Sequence, residues 1–112
     1  CEITLPHKPE LTQQHGYIHG GIIGTIGDTA GGYAAYTLMA HDASVLTVEY
    51  KMNIMAPGDG EHLIARGEVI RAGRSLVVTR ADVFAVKAGF ETHCASLLQT
   101  LMTMHGTADQ GA

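Results

Sequence analysis

The residues best equipped for chemistry lie between His19 and Asp28. His19-Gly20-Gly21 opens a segment whose apolar residues recur at three- and four-residue steps. A helix starting there presents unpaired backbone N–H groups and its positive dipole end, and glycine lets a ligand come close. Such a terminus can hold an anion or the oxyanion that develops on a carbonyl. Nine residues after His19, Asp28 lies on or beside a stripe formed by Gly20, Gly24, Gly27 and Gly31. A carboxylate on that crowded surface can act as nucleophile or general base, and a solvated or capping aspartate is the plainer alternative. Further on, Arg71 and Arg74 flank Ala72-Gly73, with Ser75 adjacent. Together they could hold a phosphate or simply form a solvated hairpin. The seven histidines make no tight cluster with metal-ligand spacing, so no metal is expected. Cys94 sits in a strand pattern without a catalytic neighbour in sequence and reads as core.

The elements that must carry these residues follow from periodicity. Ile22, Ile23, Ile26, Ala30, Tyr33, Ala34, Thr37 and Leu38 predict an amphipathic helix over about 20–40. Glycine costs about 1 kcal/mol against alanine inside a helix, so a stripe of glycines needs a reason, and close packing of a sheet is the simplest. A short strand over 1–5 precedes the helix, with a loop over 11–18 between them. Strict alternation from Leu46 to Ile54 predicts a half-buried strand. Pro57-Gly58-Asp59-Gly60 is a turn, and strands over 62–71, 75–86 and 90–103 follow, joined by links short enough for hairpins. The order strand, helix, four antiparallel strands is an α+β domain over 1–104, with a polar, disordered tail over 105–112. One helix covers one face of such a sheet, yet the later strands carry apolar residues on both parities. The second face or the sheet edge is therefore expected to meet another copy of the chain.

Composition sets the outer limits. The 112 residues are 46% apolar and 16% charged, with a net charge of −4, which fits one globular domain and disfavours nucleic acid or an anionic membrane as partner. No apolar run approaches the roughly 18 residues of a membrane span. Two cysteines make no disulfide framework, and a reducing compartment, the cytoplasm, fits best. The chain begins at Cys1 and not at methionine, so a processed or truncated start is expected.

The run Gln13-Gln14-His15-Gly16-Tyr17-Ile18-His19-Gly20-Gly21, followed by Gly27-Asp28-Thr29-Ala30-Gly31, resembles the hotdog-fold acyl-CoA thioesterases. The nearest groups are the phenylacetyl-CoA (PaaI-like) and 4-hydroxybenzoyl-CoA thioesterases. The family pattern is an amide residue, H-G-G six positions on, and an acid eight after the first glycine. Gln13, His19, Gly20 and Asp28 stand in that register, and the resemblance runs through Gly73-Arg74-Ser75 to the last strand. It implies a hotdog fold: one long central helix wrapped by a five-stranded antiparallel sheet, usually preceded by a further helix and loop.

The resemblance also implies roles. Asp28 would be nucleophile or general base, and the Gly20 amide would polarise the thioester carbonyl. His19 and Gln13 would orient the carbonyl or the water, and Gly21, Arg71, Arg74 and Ser75 would contact the substrate and its coenzyme A. The 4-hydroxybenzoyl branch carries a glutamate as its acid and a threonine four residues later, where this chain has Asp28 and Gly32. The PaaI-like branch places Ser or Thr on the next strand, which Thr47 matches, so the pattern leans to that side. No cofactor is implied beyond the coenzyme A of the substrate.

Spacing adds an independent condition. Eight residues of one helix separate Gly20 from Asp28 by about 12 Å, too far for both to reach one carbonyl. They can cooperate only across a subunit interface, so the expected state is a homo-oligomer, a dimer or a dimer of dimers (homotetramer). The expected function is hydrolysis of an acyl-CoA, possibly an aryl acyl-CoA. The alternatives are a dehydratase or hydratase of the same fold and a non-catalytic acyl-CoA-binding module.

Overall fold

A computed structural model describes residues 1–105 of the 112. Strand β1 (Glu2–Pro6) leads through a single 3-10 turn (Pro9–Leu11) to helix α1 (Gly20–Tyr36). Strands β2 (Ser44–Ile54), β3 (His62–Ala72), β4 (Leu76–Lys87) and β5 (Phe90–Met104) follow. All five strands form one antiparallel sheet in the order β1-β3-β4-β5-β2. The turn after β2 therefore does not return the chain to a neighbour: β3 crosses to the far side, and β1 and β2 become the two edges. Of the tail read over 105–112, His105 is a turn residue following β5, and the rest lies outside the described residues.

Helix α1 packs against all five strands, with Ile23, Ile26, Ala30, Ala34 and Ala35 buried beneath it. From the sheet, Leu63 and Ala65 of β3, Ala81 and Val83 of β4 and Leu97 of β5 complete the main core. The helix stops four residues short of the expected end. Leu38 N–H bonds to Ala35 O and Met39 N–H to Tyr36 O, three residues back instead of four, so the backbone tightens while the apolar spacing continues.

The glycines answer to what lies opposite them. A Cβ on Gly24 would stand 2.8 Å from Tyr50 Oη, and one on Gly27 would stand 2.6 Å from Leu97 Cδ1, so these two let the sheet approach the helix. The tightest crossing is at Gly67 of β3, where a Cβ would lie 2.5 Å from the Ala30 carbonyl carbon and 2.7 Å from Gly31 N. Backbone cannot swing aside as a side-chain tip can. Gly67→Ala is expected to cost about 3 kcal/mol, and urea unfolding equal to wild type would contradict this crossing.

The outer face of the sheet has two characters. Leu46, Met102 and Leu76 stand in one register row across β2, β5 and β4, and all three are exposed, as are Leu98 and Ile70. Towards the other end Arg66 binds Glu91 through two N–H groups and Glu2 through a third, and the Glu91 carboxylate raises the guanidinium pKa. The Ala88-Gly89 turn between β4 and β5 has positive φ at both residues, a two-residue hairpin, and Glu61 accepts the Ala88 N–H at 3.0 Å. That bond holds the Glu61 carboxyl below its usual range.

Candidate active site

Asp28 lies in the middle of α1, half-buried, where the helix passes over β5 and beside β2. Thr47 on β2 donates its hydroxyl to Asp28 Oδ1 at 2.9 Å. The β2–β5 register slips between Thr47 and Glu49, so Val48 is a bulge next to this contact, a common way to aim a side chain. From below, Gln99 of β5 donates through Nε2 to the same Oδ1 and, at 2.9 Å, to the Asp28 backbone carbonyl. Oδ1 is thus held by two donors, and Oδ2 has no partner among the described residues. A groove of about 390 Å³ opens over the carboxylate, lined by Thr47, Tyr33, Tyr36, Val45 and Leu101.

The start of α1 forms a second, separate group. His19 is the N-cap, with extended backbone, and its Nδ1 accepts the Gly21 N–H at 2.8 Å. The ring folds back because Gly21 has no side chain: a Cβ there would stand 3.1 Å from Nδ1. Gly21 thereby spends its amide on the cap, and the Gly20 N–H is left without a partner among the described residues. Gly20 and Gln13 line a common groove of about 230 Å³ with Tyr17, Ile54 and Pro57. Gln13 Oε1 accepts the His15 N–H, and Gln13 N–H bonds to Tyr17 O at 2.9 Å, so the loop before the helix is internally braced.

The chain therefore brings Asp28 together with Thr47 in one groove and Gly20 together with Gln13 in another, with His19 capping the helix beside Gly20. Arg71, Arg74 and Ser75 are exposed at the β3–β4 connection and line neither of them. Arg74 instead borders a groove with Met39, Thr103 and His105. Cys94 is fully buried at the bulge where β5 slips against Phe84, and burial pushes its thiol up, away from reactivity. No three His, Cys, Asp or Glu side chains converge as a metal set among the described residues. Gln99, which meets Asp28 from the sheet, and Thr79, which donates to Gln99, were not among the residues singled out from sequence. Their signal was there: each is a polar residue at an inward position between apolar neighbours, Gln99 between Leu97 and Leu101, Thr79 between Val77 and Ala81.

A single long helix packed on a five-stranded antiparallel sheet in the order β1-β3-β4-β5-β2 defines a hotdog domain. Residues 15–89 match the family model of the thioesterase superfamily, and the chain belongs to that superfamily. It is similar in structure to a thioesterase family protein from Silicibacter pomeroyi, with 45% identity and a TM-score of 0.93, covering 94% of this chain and 77% of that one. A Bacillus halodurans protein solved with CoA has 25% identity and a TM-score of 0.84, covering 92% of this chain and 66% of that one. A candidate esterase of Saccharolobus solfataricus is 35% identical over 81 residues, 71% of this chain and 56% of that protein, so this chain spans little more than half of its relative. No helix among the described residues is long and apolar enough to cross a membrane.

Proposed function

We propose that the chain hydrolyses acyl-CoA thioesters, leaning to the PaaI-like group, with Asp28 as its reacting carboxylate. The observation that carries this reading is the Asp28 carboxylate itself: Oδ1 is held by Thr47 and Gln99, Oδ2 has no protein partner among the described residues, and the residue lines a groove. A carboxylate fixed through one oxygen keeps the other for an incoming water or for direct attack. Asp28 takes a proton from water as the water oxygen adds to the carbonyl, the C–S bond breaks, and the proton passes to the departing sulfur, releasing the acid and the thiol of coenzyme A. Direct attack by Oδ2 reaches the same products through an anhydride that water cleaves. The Gly20 amide, aided by the positive end of α1, stabilises the charge on the carbonyl oxygen. Because that amide and Asp28 occupy different grooves, the working site combines Gly20, Gln13 and His19 of one protomer with Asp28 and Thr47 of another. The exposed edge of β2 and the outward row Leu46, Met102 and Leu76 are surfaces that a dimer, or a dimer of dimers, would cover.

A structurally similar protein solved with CoA supports a coenzyme A thioester as the substrate class. The reaction needs no further cofactor, since the coenzyme is part of the substrate. Its phosphates would meet Arg71, Arg74 and Ser75, with Gly21 leaving room at the helix start. Arg74→Ala is expected to raise KM about tenfold at low ionic strength, and KM unchanged between low and high salt in wild type would contradict the phosphate role. A dehydratase would need the His19 ring to act with Asp28 at Cα and Cβ, and the engagement of Nδ1 by Gly21 counts against it. Two free cysteines suit a cytoplasmic setting. The deciding experiment is thiol release from acetyl-, hexanoyl-, dodecanoyl-, benzoyl- and phenylacetyl-CoA. Release from one or more is expected, and binding without release from any would favour the non-catalytic module.

A further inference from the structure

Gln99 and Thr79 are 1% and 0% exposed, a buried amide and a buried hydroxyl in the middle of the sheet's inner face. Packing alone gives no reason for them, because an apolar pair of the same volume would fill the space without polar groups to satisfy. Every polar atom of the pair is committed in one direction. Thr79 Oγ1 donates to Gln99 Oε1, and Gln99 Nε2 donates to Asp28 O and Asp28 Oδ1. No buried side-chain nitrogen or oxygen among the described residues lacks a partner. The direction is fixed by chemistry. With the amide reversed, its oxygen would face both the Asp28 carbonyl and the carboxylate, acceptor against acceptor, and its NH₂ would face the hydroxyl.

Gly31 belongs to the same arrangement. A Cβ there would fall 2.7 Å from Thr79 Oγ1 and still closer to Gln99 Oε1, so this glycine clears the slot in which the amide lies. The glycine stripe of α1 therefore serves two ends: Gly24 and Gly27 admit the sheet, and Gly31 admits the amide.

We infer that Thr79 and Gln99 form a buried relay that positions the Asp28 carboxylate: the Thr79 hydroxyl orients the Gln99 amide, and the amide holds Oδ1 so that Oδ2 faces the substrate. The inference rests on the reading of Asp28 as the reacting group. Gln99 and Thr79 touch no reacting atom and act only through Asp28. A displacement of the reacting group by about 1 Å can cost on the order of 100-fold in rate, so the effect belongs in kcat and not in KM.

The test uses the 112-residue chain with hexanoyl-CoA and phenylacetyl-CoA as probes, comparing wild type, Thr79→Val, Thr79→Ser and Gln99→Leu. Thr79→Val keeps shape and loses the donor, and Thr79→Ser keeps the donor and loses a methyl group. The relay predicts that Thr79→Val and Gln99→Leu lower kcat about 10- to 100-fold with KM within about twofold, and that Thr79→Ser recovers most of the loss. The double variant Thr79→Val/Gln99→Leu should be no worse than Gln99→Leu alone. A packing role predicts the reverse order for Thr79, with serine the worse substitution, and that order would overturn the relay. A second readout does not depend on turnover: the Gln99 side-chain NH₂ resonances, expected far apart in wild type and drawn together in Thr79→Val. If wild type cleaves neither probe, the thioesterase reading fails on those probes while this signature still decides the relay. Resonances that do not move in Thr79→Val overturn it.

Discussion

Asp28→Asn is expected to lower thioester hydrolysis about 10²–10⁴-fold, while the domain stays folded. The asparagine keeps the volume of the side chain and an oxygen that can accept from Thr47 Oγ1 and Gln99 Nε2, so the hydrogen bonds around Oδ1 survive. What disappears is the charge on the group and the basic Oδ2. Stability should therefore change by less than about 0.5 kcal/mol, as for substitutions that disturb neither packing nor polar pairing. Asp28→Ala is a harsher companion: it removes Oδ1 as an acceptor, though Gln99 keeps its bond to the residue 28 carbonyl. Thiol release at saturating substrate, alongside urea unfolding of both variants, separates lost chemistry from lost fold. Turnover like wild type in Asp28→Asn would remove Asp28 from the mechanism.

The helix and all five strands could be read from periodicity because one face of each is buried, and burial imposes the 3.6- or 2-residue repeat on the sequence. Alternation reports which face a residue occupies and carries nothing about which strand lies alongside. Thus β2 was legible as a strand, but not its place at the edge next to β5, which is what brings Thr47 to Asp28. The end of α1 was overshot because Leu38 keeps the apolar spacing after the backbone has tightened at Thr37. Among the site residues, those on α1 and its preceding loop were legible through spacing and family resemblance. Gln99 and Thr79 were not, because a polar residue in a strand is ordinarily assigned to the solvent side. Only the parity of their neighbours marks them as inward, and that becomes persuasive once Asp28 is seen to need donors. The bulge at Val48 has the same character: it changes the parity of β2 in mid-strand, so that Tyr50, Met52 and Ile54 sit opposite the inward Gln99, Leu97 and Ala95.

Co-expression of Gly20→Pro with Asp28→Ala is expected to restore activity that neither variant has alone. Proline suits position 20 unusually well. Gly20 is the first residue of α1, where a helix needs no N–H and accepts proline. His19 before it already has φ −60° and ψ 138°, the extended conformation that a following proline requires. The nearest atom to a Cβ at Gly20 is the end of a flexible side chain, Ile54 Cδ1 at 3.1 Å. The substitution therefore deletes the amide proton with little else disturbed, and loss of one oxyanion donor should cost about 10²–10³-fold. If the site pairs Gly20 of one protomer with Asp28 of the other, a mixed dimer carries one site with both groups damaged and one with both intact. Random pairing makes half of the dimers mixed, so the co-expressed protein should reach about a quarter of wild-type turnover, as two-fold symmetry dictates. Activity that stays at the level of the single variants would place the amide and the carboxylate in separate functions. The roughly 12 Å between them along α1 would then need a different explanation from a shared carbonyl.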